Sequence, residues 1–84
     1  MKDLIVEERE FLESLTKLKP QKQKSGYYRY TKQIKGKIRH YKRSRVLMQL
    51  HLNKELEMWE VVHHKDGNRG NDKIENLEVK YSRR

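Results

Sequence analysis

The chain has 84 residues, of which 33% are hydrophobic and 39% are charged, and its 21 Lys and Arg against 12 Asp and Glu give a net charge of +9. This length allows one small domain with a thin hydrophobic core. Because the sequence has no Cys, it excludes disulfides, thiolate metal sites and a cysteine nucleophile.

No apolar run is long enough to cross a bilayer, so a membrane protein is not expected. The first residues, MKDLIVEEREF, carry acids where a signal peptide has a basic start followed by an apolar stretch. The expected compartment is therefore the cytoplasm.

The positive charge is concentrated in one block. Residues 17 to 45 carry twelve Lys and Arg and no acid, whereas the rest of the chain holds nine basic and twelve acidic side chains. Such a block neutralises phosphates and displaces their counterions, which predicts a nucleic-acid partner. Taken alone, the block is equally compatible with a disordered linker. Its interleaved apolar residues alternate as in strands, which favours folded strands over a linker or a basic membrane-binding helix.

Residues 1–19 are predicted to form an N-terminal amphipathic helix. Apolar residues recur at helical spacing from Asp3, a suitable N-cap, to Leu18, and Pro20 ends the helix. This apolar stripe has two interpretations, packing on the rest of the domain or pairing with a second copy, so a homodimer through this helix is one expected partner. The acidic face of the helix would repel DNA.

Residues 20–84 are predicted to form the remainder of the molecule. A polar linker, residues 19–26, leads into strands at Tyr27–Gln33 and Lys37–Lys42, joined by a tight turn at Lys35-Gly36. A short helix then runs from about Ser44, as its N-cap, to Asn53.

A second hairpin is predicted at the C-terminal end of the chain. Trp59 to Val62 form a short apolar strand that runs into His63 and His64, with Trp59 in the core. A loop rich in Gly, Asn and Asp follows, and residues 77–79 return as an antiparallel strand. The fold class expected is a small single α+β domain.

The two adjacent imidazoles carry the most informative chemistry of the sequence. Because side chains alternate along a strand, His63 and His64 should point to opposite faces and do different work. One can bind a divalent metal ion while the other takes a proton from water. Asn76, where the loop rejoins the second strand, can hydrogen-bond the loop backbone that orients the second imidazole. This division suits metal-assisted hydrolysis of a phosphodiester.

At these positions the sequence resembles the HNH endonucleases of the phage and homing type, whose nuclease site is a ββα-metal motif. The matching residues are VVHHKDGN at 61–68, Asn71 and IENLEV at 74–79, within a motif spanning 59–79. The helix before the motif, from Arg43, is similar as well.

The resemblance implies roles for individual residues. His63 takes the position of the metal ligand, His64 that of the general base, and Asn76 that of the central structural Asn. The implied cofactor is one divalent ion, Mg, Mn, Ni or Zn, and the implied partner is double-stranded DNA in a bacterial or phage-infected cell. The residues expected to contact DNA are Arg29, Lys32, Lys37, Arg39, Arg43, Arg45 and Arg69.

The sequence departs from the family pattern in one respect. In the family the second strand leads into a helix that supplies another metal ligand, and here only KYSRR follows Val79, so the motif is expected to be truncated before that helix. A weakened nuclease and a non-cleaving nucleic-acid-binding module are therefore both open. A structural zinc site that uses His63 and His64 is a third alternative, although structural zinc prefers four protein ligands.

Overall fold

The structure, a computed structural model, describes residues 2–81. Within that range the elements are β1 (Lys2–Asp3), α1 (Val6–Leu15), β2 (Gln21–Lys22), β3 (Tyr28–Ile34), β4 (Lys37–Lys42), α2 (Arg43–Leu52), β5 (Lys54–Glu55), β6 (Glu60–His64) and β7 (Leu77–Tyr81), with a 3-10 turn at Ile74–Asn76. The strands pair antiparallel in three small sheets: β1 with β5, β2 with β3 and β4, and β6 with β7. The predicted small α+β domain is confirmed. In this part of the chain, neither α1 nor α2 has the length and apolar composition that a bilayer-spanning helix needs.

Helix α1 is shorter than the sequence predicted. Asp3 does not cap it, because Asp3 pairs with Lys54 between β1 and β5 and forms an ion pair with the Lys54 ammonium. The helix begins at Val6 instead, where the Glu8 carboxylate accepts a hydrogen bond of 3.0 Å from the backbone N–H of Ile5. This bond satisfies one of the amide groups that a helix N-terminus leaves without a partner.

The apolar stripe of α1 packs on the domain, which was the first of its two interpretations. Leu12 and Leu15 are buried with Tyr30 of β3 and Val46 of α2 in one core cluster. Leu12 and Leu15 are thus covered by this chain's own residues, whereas Val6 at the start of the helix is exposed, and the homodimer stays a prediction.

The hairpin β3–β4 has the predicted strands and turn. Lys35 and Gly36 have φ angles of +50° and +80°, and positive φ at both central residues is typical of the two-residue turn that matches strand twist. The predicted linker is only partly correct, because Gln21–Lys22 pairs with the start of β3 as β2.

Helix α2 lies between the two halves of the core. It starts at Arg43, one residue before the predicted cap, and Ser44 is buried instead of capping the helix. Val46 belongs to the cluster under α1, whereas Met48 packs with Leu56 and Leu77 under the β6–β7 hairpin. The hairpin that carries both histidines is thus anchored on a buried helix.

The strand β6 buries two polar residues and leaves one of its valines exposed. Glu60 and His64 are buried, whereas Val61 is exposed and Trp59 has 52% of its surface accessible, so the prediction of Trp59 as core is wrong. The physical reason is that β6 begins at Glu60 and only one face of it packs on α2. The predicted pairing with residues 77–79 is confirmed and extends to Tyr81, while residues 82–84 lie outside the described range.

Candidate active site

The last two residues of β6 project from opposite faces of the β6–β7 hairpin, as alternation along a strand requires. The side chain of His63 is 48% exposed, whereas that of His64 is 4% exposed. One imidazole is therefore open to solvent, and the other lies inside the protein.

The buried imidazole belongs to a network of three side chains. His64 Nε2 lies 2.6 Å from Oδ1 of Asp72, and Oδ2 of the same carboxylate accepts a hydrogen bond of 2.8 Å from Arg43 Nε. Arg43 also donates to the carbonyl of Gly70, and its guanidinium lies 4.1 Å from the ring centroid of Tyr28. This Arg43–Asp72–His64 network joins the start of α2, the loop and the end of β6.

The exposed imidazole has a carboxylate partner of its own. His63 and Glu78 face each other in the β6–β7 register, and His63 Nδ1 lies 3.0 Å from Glu78 Oε1. The hydrogen bond from His63, followed by that from Lys80, lowers the pKa of Glu78 below its usual value. Glu78 is therefore a carboxylate at neutral pH, and His63 can donate its Nδ1 proton to it.

The two histidines are held through different ring nitrogens. A carboxylate contacts Nδ1 of His63 but Nε2 of His64. Among residues 2–81, no group hydrogen-bonds the other nitrogen of either ring. The arrangement therefore leaves Nε2 of His63 and Nδ1 of His64 as the atoms that can meet a ligand.

The loop between β6 and β7 is tied down by Asn76. Its Oδ1 accepts from the backbone N–H of Asp66 at 3.1 Å, and its Nδ2 donates to Asp66 Oδ1 and to the carbonyl of Asn71, both at 3.0 Å. The Asn71 side chain, the Asn68 backbone N–H and the Asn76 side chain all donate to Asp66 and together lower its pKa. Asn76 thus fixes the backbone that follows His64, although its part in catalysis stays a prediction.

A cavity of about 260 Å³ opens beside the histidines. It is lined by Tyr27, Val62, His63, His64, Gly67 and Arg69. Tyr27 lies 5.8 Å from the His64 ring, and two cations flank its own ring, Lys42 Nζ at 4.9 Å and the Arg69 guanidinium at 5.1 Å. A neighbouring cavity shares Tyr27, Val62 and His63 and continues past Lys42 and Lys80. We call these two cavities together the histidine groove, and its rim is basic.

Within residues 2–81 no three His, Asp or Glu side chains come together to hold a metal ion. His63 nevertheless has the form of a metal ligand, because its Nδ1 is engaged by a carboxylate and its Nε2 is free. The donor set fits an open site, completed by water and substrate oxygens, rather than a closed structural one. A structural zinc at both histidines would need further protein ligands, and residues 2–81 bring no third His, Asp or Glu side chain to them in a metal-binding arrangement.

The residues predicted to contact DNA do not form one surface. Arg69 lies in the histidine groove. Lys32, Lys37 and Arg39 share the face of the β3–β4 hairpin that carries buried Tyr30, and Arg29 lies on the opposite face with Lys42.

Two of the predicted contacts are occupied inside the protein. The Arg43 guanidinium belongs to the network with Asp72, and Arg45 donates to the backbone carbonyls of Leu56, Glu57 and Glu60. These bonds hold both guanidinium groups against the backbone or a carboxylate of this chain, although Arg45 also lines the second cavity of the histidine groove. The geometry gives Arg43 and Arg45 structural roles, and we do not include them among the proposed DNA contacts.

Three residues of the site were missed by sequence reasoning. Glu78 could have been found by extending the predicted strand pairing two residues, which places it opposite His63. Lys42 is one of twelve basic residues in the block from 17 to 45, and the sequence does not indicate where its side chain points. Asp72 sits in an irregular loop, and nothing in its spacing from His64 indicates contact.

A comparison with known proteins finds a family match over the region of the chain that holds the two histidines. A family model described as HNH endonuclease matches residues 41–83, half of the chain, from the end of β4 through α2 and the whole histidine hairpin. No curated protein and no solved structure matches significantly. The chain therefore belongs to the HNH endonuclease family.

Proposed function

We propose that the protein is a metal-dependent endonuclease that hydrolyses phosphodiester bonds of double-stranded DNA. Membership of the HNH endonuclease family indicates a nuclease in general. The observation that carries the finer proposal is the pair of histidines, each held by a carboxylate through a different nitrogen, beside a groove with a basic rim.

The histidines divide the chemistry between them. His64 accepts a proton from a water molecule at Nδ1, the water oxygen bonds to phosphorus, and one bridging P–O bond breaks. The departing oxygen takes a proton from solvent. His63 is the metal ligand through Nε2, and Glu78 orients its ring. A divalent ion held by His63 would supply positive charge to stabilise the phosphate and the leaving oxygen.

Lys42 and Arg69 are the proposed phosphate contacts nearest to the histidines. Both cations lie against Tyr27, one on β4 and the other on the loop, so they can hold the DNA backbone on either side of the scissile group. Such contacts position DNA without reading its sequence. Arg29 lies on the same face of the β3–β4 hairpin as Lys42 and extends this contact, whereas Lys32, Lys37 and Arg39 lie on the opposite face and would form a separate contact.

Nicking of supercoiled plasmid with Mg²⁺, Mn²⁺, Ni²⁺ or Zn²⁺ tests the proposal. We expect His64→Ala to lower the nicking rate at least about 100-fold, the lower range for a general base. His51→Ala is the matched control, because His51 is an exposed imidazole at the end of α2 and lines neither cavity of the groove. Equal rates for wild type and His64→Ala would show that the base is misassigned.

The competing function is a nucleic-acid-binding module that does not cleave. The absence of a three-ligand cluster within residues 2–81 favours it. It predicts that wild type binds duplex DNA but leaves plasmid intact with all four metals, whereas the nuclease proposal predicts metal-dependent nicking by wild type.

A further inference from the structure

The side chain of Asp72 is 4% exposed and lies between Arg43 and His64. One carboxylate oxygen receives Arg43 Nε at 2.8 Å, and the other lies 2.6 Å from His64 Nε2. An ionised carboxylate only accepts hydrogen bonds, and a guanidinium only donates them. The ring nitrogen that faces Asp72 must therefore carry a proton.

This requirement decides where the lone pair of His64 lies. A neutral imidazole has one protonated nitrogen and one nitrogen with a lone pair. With the proton on Nε2, the lone pair is on Nδ1, the nitrogen that no group of residues 2–81 engages. His64 lines the 260 Å³ cavity, and we infer that the lone pair on Nδ1 meets water there.

We propose that Asp72, itself held by Arg43, is a positioning residue that fixes His64 in the Nε2–H tautomer and so makes Nδ1 the proton acceptor. The inference rests on the proposed function for its consequence, because the tautomer matters only if His64 activates water. Its structural content, the position of one proton, does not depend on cleavage.

Asp72→Asn tests the proposal with little change of shape. The new amide has one oxygen and one NH₂ group, and Arg43 can bond only to the oxygen. The NH₂ group must then face His64 Nε2, which has to accept, so the proton moves to Nδ1. His64 becomes a donor towards the groove and cannot take a proton there.

The tautomer is read by ¹⁵N NMR of histidine-labelled protein at about pH 8, where an ordinary imidazole is neutral. The His64 signals are assigned from the spectrum of His64→Gln, without metal or DNA. We expect a protonated Nε2 and an unprotonated Nδ1 in wild type, and the reverse in Asp72→Asn. Plasmid nicking by Asp72→Asn should fall about 10²–10⁴-fold, as for loss of a general base.

Two further variants separate positioning from a general effect on the fold. In the double variant Asp72→Asn/Arg43→Met, the amide oxygen is free to turn to His64, so the Nε2–H tautomer and part of the nicking rate should return. Glu75→Gln removes the same charge from an exposed position in the same segment and should change neither.

A wild-type spectrum with the proton on Nδ1 would overturn the proposal, whatever the variants do. So would an Asp72→Asn protein that nicks slowly but keeps the wild-type tautomer, because Asp72 would then act only on the fold. If the tautomers behave as expected but wild type does not nick DNA, the inference stands and the proposed nuclease activity fails.

Discussion

Arg45 illustrates how a charged residue can serve the fold at the border of a basic surface. Its guanidinium donates to three backbone carbonyls in the segment that leads into β6, at 2.6 Å to Glu57 and Glu60 and 3.1 Å to Leu56. Helix α2 thereby holds the chain at the point where the histidine strand begins.

We expect Arg45→Ala to lower the free energy of unfolding by about 1.5–3 kcal/mol, the range for hydrogen bonds to a charged group. Chemical denaturation gives the value. Arg39→Ala is the control, since Arg39 is exposed on β4, and its change should lie within about 0.5 kcal/mol of zero. Equal stability of the two variants would contradict the structural role of Arg45.

Asp66 ties the loop through its ionised carboxylate. Donors from Asn71, Asn68 and Asn76 lower its pKa, so the ionised form stabilises the folded state above the ordinary Asp pKa of about 3.9. This contribution is lost as the pH falls through the lower pKa of the folded state.

Asp66→Asn should therefore be less stable than wild type at pH 7, and the difference should shrink as the pH falls below about 4. Thermal unfolding of both proteins from neutral pH into acid measures it. A difference that stays constant over this range would show that the charge of Asp66 does not hold the loop.

The elements of the molecule depend on one another through α2. Val46 and Met48 join different core clusters, so α1 and the β3–β4 hairpin pack against the same helix that supports the histidine hairpin. A change in α1 is therefore expected to reach the whole domain and not only its N-terminal segment.

Leu15 is fully buried in α1, and Leu15→Ala should cost about 2–5 kcal/mol of unfolding free energy, the range for emptying a packed core site. Val6→Ala on the same helix is the control, because Val6 is 69% exposed and should change stability by less than about 0.5 kcal/mol. If Leu15→Ala unfolds only α1 in hydrogen exchange, the helix would be an appendage and not part of the core.

On the scale of the whole molecule, the net charge of +9 and its concentration in residues 17 to 45 govern association with nucleic acid. A polyanion partner would gain affinity from released counterions, and the gain falls with salt. Only part of this charge is available, since Arg43 and Arg45 are engaged within the fold.

The logarithm of the DNA association constant should fall linearly with the logarithm of salt concentration, and Arg69→Gln and Lys42→Gln should each reduce the slope by about 1. Fluorescence anisotropy with a labelled duplex measures the slope. Lys2→Gln should leave the slope unchanged, because Lys2 pairs with Glu55 and lines neither cavity of the groove. Unchanged slopes for both Gln variants would remove the histidine groove from the DNA path.

The sequence by itself determined the α+β class, the turn at Lys35-Gly36, the antiparallel histidine hairpin and the candidate position of Asn76. These features depend on short-range patterns: alternation along a strand, positive φ at a two-residue turn, and the order of residues in the family motif. These features could be predicted because the residues that cause them lie close together in the sequence.

Only the tertiary structure decided which acid lies beside which histidine and which basic residues are free. Arg43 and Asp72 are 29 positions apart, and their contact exists because α2 and the loop pack on the same hairpin. An irregular loop has no period from which the direction of Asp72 could be predicted. For the same reason, the prediction of Trp59 as core failed: hydrophobicity does not indicate which face of β6 the rest of the protein covers.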